Sequence, residues 1–202
     1  MKLSGANRTL SFAMNLSDRA KKIILTPKTE WEVINGETTT PGALYTGYVL
    51  PLSLVAAAGQ FLLNVVFSRG WGLGFLLSVA LTSVLTTTIG YFVGIYVFDL
   101  LAPHFASEKN LSKSAQLVAY ALTPGFIATF LSFLPSMGGL LGAAAWVYSI
   151  YLMYLGVGLL KKTPEDKKGL YLVVAWIVMI LVTLVVSDLL GRVGYSRVVV
   201  VR

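Results

Sequence analysis

The chain has no cysteine, which excludes disulfides, thiolate metal sites and cysteine nucleophiles. It has a single histidine, His104. With Glu108 four residues on, His104 offers two potential metal ligands, too few for a metal site. Ser107 or Ser136 would pair with His104 as nucleophile and base only by accident of folding, and Ser136 is expected on the opposite face of the membrane. No glycine loop carries the lysine of a phosphate cradle. Charge is scarce too: only 12% of the 202 residues are charged, against about 25% in a soluble domain. That is too few to coat a water-facing globule of this length. The expectation is a chain without catalytic residues, cofactor or resident metal.

What the chain has instead is apolar length. Hydrophobic residues make up 56% of it, and the mean hydropathy is +0.76. The formal charge of +7 would form one patch with base-reading side chains in a nucleic-acid-binding domain. Here the basic residues sit in short polar breaks between apolar runs, so no nucleic-acid partner is expected. The first forty residues lack an early apolar core, so the first spanning helix is expected to serve as an uncleaved targeting signal.

Five runs are each long enough for the about 20 residues that cross a hydrocarbon core: about 43–67, 71–101, 114–134, 138–160 and 170–190. The breaks are Ser68-Arg69-Gly70, Pro103 through Lys113, Pro135-Ser136-Met137 and Lys161 to Gly169. Pro135 with Gly138 and Gly139 reads as a reversal of the chain rather than a kink in one long helix. With the N-terminus inside, 12 of the 16 Lys and Arg residues fall on the inner side: six in the tail, Lys109, Lys113, Lys161, Lys162, Lys167 and Lys168. Arg69, Arg192, Arg197 and Arg202 fall outside. The positive-inside rule therefore puts the N-terminus in the cytoplasm and the C-terminus outside.

The fold class expected is an all-α integral membrane protein. It has a cytoplasmic N-terminal segment over 1–40, five transmembrane helices over 41–190 and an external tail over 191–202. In the N-terminal segment Leu10, Ala13, Met14, Ala20, Ile23 and Ile24 recur at near-helical spacing, with Asn15, Arg19 and Lys22 mostly opposite. A basic amphipathic helix on the inner leaflet satisfies both faces; a loosely ordered tail is the plainer alternative. Pro27 breaks this helix, and Thr26 or Thr29 caps a second carrying Trp31 and Ile34, ended by Asn35-Gly36. Lys21, Lys22 and Trp31 are the expected contacts with the membrane surface. Thr40 with Pro41 caps the start of span one.

Within the spans, Gly74, Ser78, Thr82, Thr86, Gly90 and Gly94 are each four apart, forming one stripe of small residues on span two. Such stripes let helix backbones approach closely. Gln60 and Asn64 are also four apart, at the same depth on antiparallel span one as Thr82 and Ser78. They predict a packing seam between the two spans; the functional alternative is a polar lining for a solute path. Near the midplane of span three, Pro124 frees the carbonyl of Tyr120. Such a carbonyl must be satisfied by protein or water, so Tyr120, Pro124 and Gly125 mark a kink and a possible hinge. No ionisable residue falls at mid-depth in any span, which weakens an ion-coupled carrier and leaves a passive pore untouched.

Four segments carry a family resemblance: IILTPKTEWEVI at 23–34 in part, YTGYVLPLSL at 45–54, AYALTPGFIATFLSFLP at 119–135 and YSIYLMYLGVGLLKKTPEDKKGLY at 148–171. With these the sequence resembles the Yip family of five-span membrane proteins, named for interaction with Ypt/Rab GTPases, and most of all its short prokaryotic members. The resemblance implies five helices with a cytoplasmic N-terminus, an inner-membrane location in a prokaryote, and no catalytic residues. It implies trafficking roles and partner membrane proteins for eukaryotic relatives, whose cytoplasmic tails are long and acidic. The tail here is short and basic, which counts against Rab-type GTPase binding. The functional expectation is a non-enzymatic protein that organises the membrane or binds partners, as a homo-oligomer or with another membrane protein. A small-solute channel or transporter along spans one to three is the alternative, and lipid binding or shaping through the basic tail is a third.

Overall fold

The computed structural model describes residues 16–67, 72–131 and 138–199, with the side chains of 67, 183 and 186–199 excepted. The predicted breaks at Ser68-Arg69-Gly70 and Pro135-Ser136-Met137 lie outside the described residues. So do Leu10, Ala13 and Met14 of the amphipathic pattern.

The described chain is helical throughout. Helix α1 covers 16–25 and α2 covers Pro27–Gly36. The first span is built from α3 (Pro41–Leu44), a π-helical stretch (Tyr45–Val49) and α4 (Leu50–Phe67). Then come α5 (Leu73–Leu101), a short 3-10 stretch (Ala102–Phe105), α6 (Leu111–Ala121), α7 (Thr123–Leu131), α8 (Gly138–Leu160) and α9 (Glu165–Val199). Among the described residues, four helices are long and apolar enough to cross a membrane: Pro41–Val66, Leu73–Phe105, Leu111–Leu131 and Gly138–Leu160. The expected fifth span lies on α9, whose helix runs on past Leu190 to Val199.

Local chemistry explains the breaks. Thr40 caps α3 by accepting a hydrogen bond from the Ala43 amide at 3.2 Å, with Pro41 in the first turn, as its position predicts. Thr26 does not cap α2: its hydroxyl turns back to the Lys22 carbonyl at 3.1 Å and finishes α1 instead. Pro51 has no amide hydrogen for the Gly47 carbonyl. The helix widens just before it, and the Leu50 amide reaches the Tyr45 carbonyl, a one-turn π-bulge of the kind that absorbs such an interruption. Pro124 divides span three into α6 and α7. The Tyr120 carbonyl that the proline leaves without an amide partner accepts the Thr123 hydroxyl at 2.8 Å.

The third span is the centre of the bundle. Ser114 through Ala121 are all buried, because α6 packs against α3, α5 and α8 while α7 packs against α4 and α8. Helix α9 closes the far side against α5 and α8, and α2 packs on α8.

Candidate functional site

The N-terminal helices cap one end of the bundle. Ile23, Trp31 and Ile34 are buried at 0–1% exposure. Trp31 meets Tyr120 edge-on at 6.1 Å, and a methyl group added at Gly156 would come within 2.9 Å of its ring. Trp31 is thus a plug between α6 and α8, which corrects the expectation that it touches the membrane surface. An apolar helix face needs an apolar partner, and the sequence does not say whether lipid or protein supplies it. Lys21 and Lys22 are exposed, on the side away from that plug.

The cap is fastened by charge. The guanidinium of Arg19 joins the carboxylates of Glu30 and Glu37 and lies 5.9 Å over the Tyr120 ring. Burial works against its charge, but Tyr120, Glu37 and Glu30 together outweigh that and raise its pKa above the ordinary arginine value. The carbonyls at the end of α2 are taken up by α6. Gln116 Nε2 donates to Ile34 and Glu37 at 3.2 and 3.1 Å. Lys113 Nζ donates to Asn35 at 2.7 Å, a cation at a helix C-terminus. Tyr148 donates to the Ile24 carbonyl at 2.6 Å.

A second polar cluster ties the ends of three spans. Lys161, with no exposed side-chain surface, reaches Asp99 Oδ1 of α5 at 3.2 Å, Ser114 Oγ of α6 at 2.7 Å and the Asn110 carbonyl at 3.3 Å. Burial lowers its pKa from the ordinary lysine value, against the hydrogen bond and charge of Asp99 and the charge of Glu108. The backbone carbonyl of Lys161 accepts from the Glu108 amide at 2.7 Å, and Ser107 and Thr163 share a hydrogen bond of 2.8 Å. Lys161, one of the lysines expected in the inner-side breaks, is the centre of a buried lock. The run Lys161 to Lys168 reads as a solvated loop because nothing local announces that Asp99, 62 positions earlier, will face it.

Spans one and two do pack together, but not along the expected seam. Tyr45 and Thr88 share a hydrogen bond of 2.8 Å, Tyr91 donates to the Pro41 carbonyl at 3.0 Å, and Tyr45 packs on the rings of Tyr91 and Phe92. These residues lie roughly opposite the small-residue stripe on α5. Large rings bury more area than glycine and threonine, and they take the contact. Of the stripe, Gly74, Ser78, Thr82 and Thr86 are exposed, and Ser78 donates only to the Phe75 carbonyl of its own helix. Gly90 is half-buried. Gly94 is buried against Val118 and Met179 of α6 and α9. Asn64 is half-buried.

Gln60 points elsewhere again. It lines a cavity of about 410 Å³ with Gly125 and Thr129 of α7, Gly142 and Trp146 of α8 and Trp176 of α9. A second cavity of about 330 Å³ adjoins it, sharing Leu122, Gly125, Thr129, Met153 and Trp176, and is walled on its other side by Thr86, Gly90 and Gly94. The kink residues thus have separate roles. Gly125 lines both cavities, Pro124 faces a shallower one with Tyr148, and Tyr120 packs under the cap. Thr123 links the kink to span one through a 2.8 Å hydrogen bond with Tyr48. Among the described residues no three His, Asp or Glu side chains gather as metal ligands.

A family model described as the Yip1 domain matches residues 21–186, from α1 into α9. No curated protein and no solved structure matches the chain.

Proposed function

Because this chain belongs to the Yip1-domain family and is a multi-pass membrane protein, we propose that it works without catalysis by binding a membrane partner, either another membrane protein or a second copy of itself. The N-terminal half of α5 carries this reading. Only 6% of the apolar stretch of that helix is buried, against 28, 67 and 33% for the other three candidate spans. The uncovered face includes Gly74, Ser78 and Thr82 in one row. Lipid tails are no less apolar than leucine, so helices associate in a bilayer through close backbone approach and hydroxyl contacts. A row of small and hydroxylated residues suits another helix.

The reading takes α9 as a fifth crossing, with the N-terminal cap and the lysine-rich breaks in the cytoplasm, the C-terminus outside, and the whole in a prokaryotic inner membrane. The lysine and arginine distribution supports that orientation. The native mass of the protein purified in mild detergent tests the function. A dimer, or a stoichiometric complex with another membrane protein, is the expected result. A monomer with nothing bound contradicts it.

A second reading, a small-solute channel or carrier, is favoured by the two adjoining cavities beside the span-three kink. Solute flux into vesicles reconstituted with the protein tests it.

A further inference from the structure

A groove of about 340 Å³ runs along the seam of α7 and α8. Pro124, Ala128 and Leu131 line one side and Leu141, Ala144 and Tyr148 the other, with Ile24 of α1 at the Tyr148 end. Among the described residues that line it, the Tyr148 hydroxyl is the one polar side-chain group, and it is spent on the Ile24 carbonyl at 2.6 Å. The groove therefore offers an occupant only apolar contact. Ile127 on its edge is 41% exposed, which opens it toward lipid. Tyr151 and Tyr154, the exposed rings that follow along α8, mark the level at which aromatic side chains meet headgroups. From Tyr148 the groove descends seven residues to Leu141, about 10 Å into the hydrocarbon.

A cation stands at the Ile24 end. Lys21 is three residues before Ile24 on α1, about 60° around the helix from it. It is exposed and takes part in no salt bridge among the described residues. Leu25, beside Lys21 on that helix, is also exposed, and a bare leucine next to a lysine suits the interfacial layer of a bilayer. Lys22 and Asp18 are turned to the other side of α1, where they line a polar pocket with Arg19 and Glu30. We propose that the groove holds one acyl chain of an anionic phospholipid, such as phosphatidylglycerol, with its phosphate against the Lys21 ammonium. The furrow of small side chains takes the chain, and the lysine supplies the complementary charge at headgroup depth. Phosphatidylcholine brings its own cation to the same phosphate and gains less from the lysine. The site is separate from the uncovered face of α5, and its test does not depend on association.

The full-length protein is reconstituted in phosphatidylcholine vesicles with a trace of one of two probes, phosphatidylglycerol or phosphatidylcholine, each with a diazirine on its acyl chain. The vesicles are irradiated and the labelled peptides mapped. The expected result is labelling of 124–131 and 141–148, with the phosphatidylglycerol probe about fivefold above the other, the worth of one lysine at an anionic headgroup. Salt at about 1 M should narrow that ratio by screening. Lys21→Gln should bring the two probes level, whereas Lys22→Gln leaves the ratio unchanged. Ala144→Leu, at an exposed position of the groove, should remove the label from both segments in a folded protein. Equal labelling by the two probes in the unaltered protein, equal effects of Lys21→Gln and Lys22→Gln, or label that persists after Ala144→Leu overturns the proposal. Each of these leaves only unselected boundary lipid on that seam.

Discussion

The ammonium of Lys161 sits 3.2 Å from the carboxylate of Asp99, joining the end of α8 to the end of α5 with Ser114 of α6 as a third partner. Removing one member of a buried pair leaves the other charge uncompensated. Lys161→Met should therefore lower stability by about 3–5 kcal/mol, read as an earlier thermal unfolding transition in detergent. The double variant Lys161→Met, Asp99→Leu should recover much of that loss, because an apolar pair carries no desolvation penalty. If the single variant unfolds like the parent protein, the lock is not structural.

Trp31 is a core residue here, and its truncation should behave as one. Trp31→Ala is expected to cost about 3–5 kcal/mol and to expose 16–36 to protease. A membrane-surface tryptophan would lose far less, and no change in protection of that segment would restore the surface reading.

Thr123 bonds both the Tyr120 carbonyl and the Tyr48 hydroxyl. Thr123→Val keeps the shape and removes the hydroxyl, leaving a carbonyl without a partner inside the bundle. A loss of about 1–3 kcal/mol is expected, with Thr123→Ser close to the parent in the same melting experiment. Equal stability of the valine and serine variants would show that the proline break is satisfied in another way.

The glycines divide sharply by surroundings. A methyl group at Gly156 would meet Leu117 at 2.7 Å and Trp31 at 2.9 Å, whereas at Gly158 it meets only the flexible end of Lys168. Gly156→Ala should cost about 1–3 kcal/mol by overpacking, and Gly158→Ala should be tolerated. Matched melting curves for the two would contradict the packing of α2 across α8.

Much of this architecture is legible from residue order. Among the described residues, four helices long and apolar enough to cross a membrane start and end within a few residues of the first four apolar runs of the sequence, since a run of about 20 apolar residues is what a crossing helix needs. The cap at Thr40 and the breaks near Pro27 and Pro124 follow from proline and hydroxyl chemistry that acts over one helical turn. What hydropathy does not reveal is which neighbour covers an apolar face. Apolar residues surround α5 and α8 on all sides, so lipid-facing and protein-facing sides look alike. That is why the stripe on α5 suggested a seam with Gln60 and Asn64, when Tyr45, Thr88 and Tyr91 make the contact. Trp31, Lys161 and the cavity beside Gln60 were hidden for a related reason. Each depends on a partner many residues away, and only the closed bundle brings the two together.

The uncovered face of α5 is where a protein partner and bare lipid can be told apart. Because the chain has no cysteine, Thr82→Cys carries the only thiol, and oxidation in native membranes reports directly on what meets that face. A disulfide-linked dimer, or a covalent adduct of defined mass with one other membrane protein through a short thiol-reactive crosslinker, is the predicted result. Val66→Cys on the exposed side of α4 should give neither. If Thr82→Cys stays monomeric and unlinked under conditions where lipid-soluble maleimide labels it fully, that face meets only lipid and the partner-binding reading is wrong.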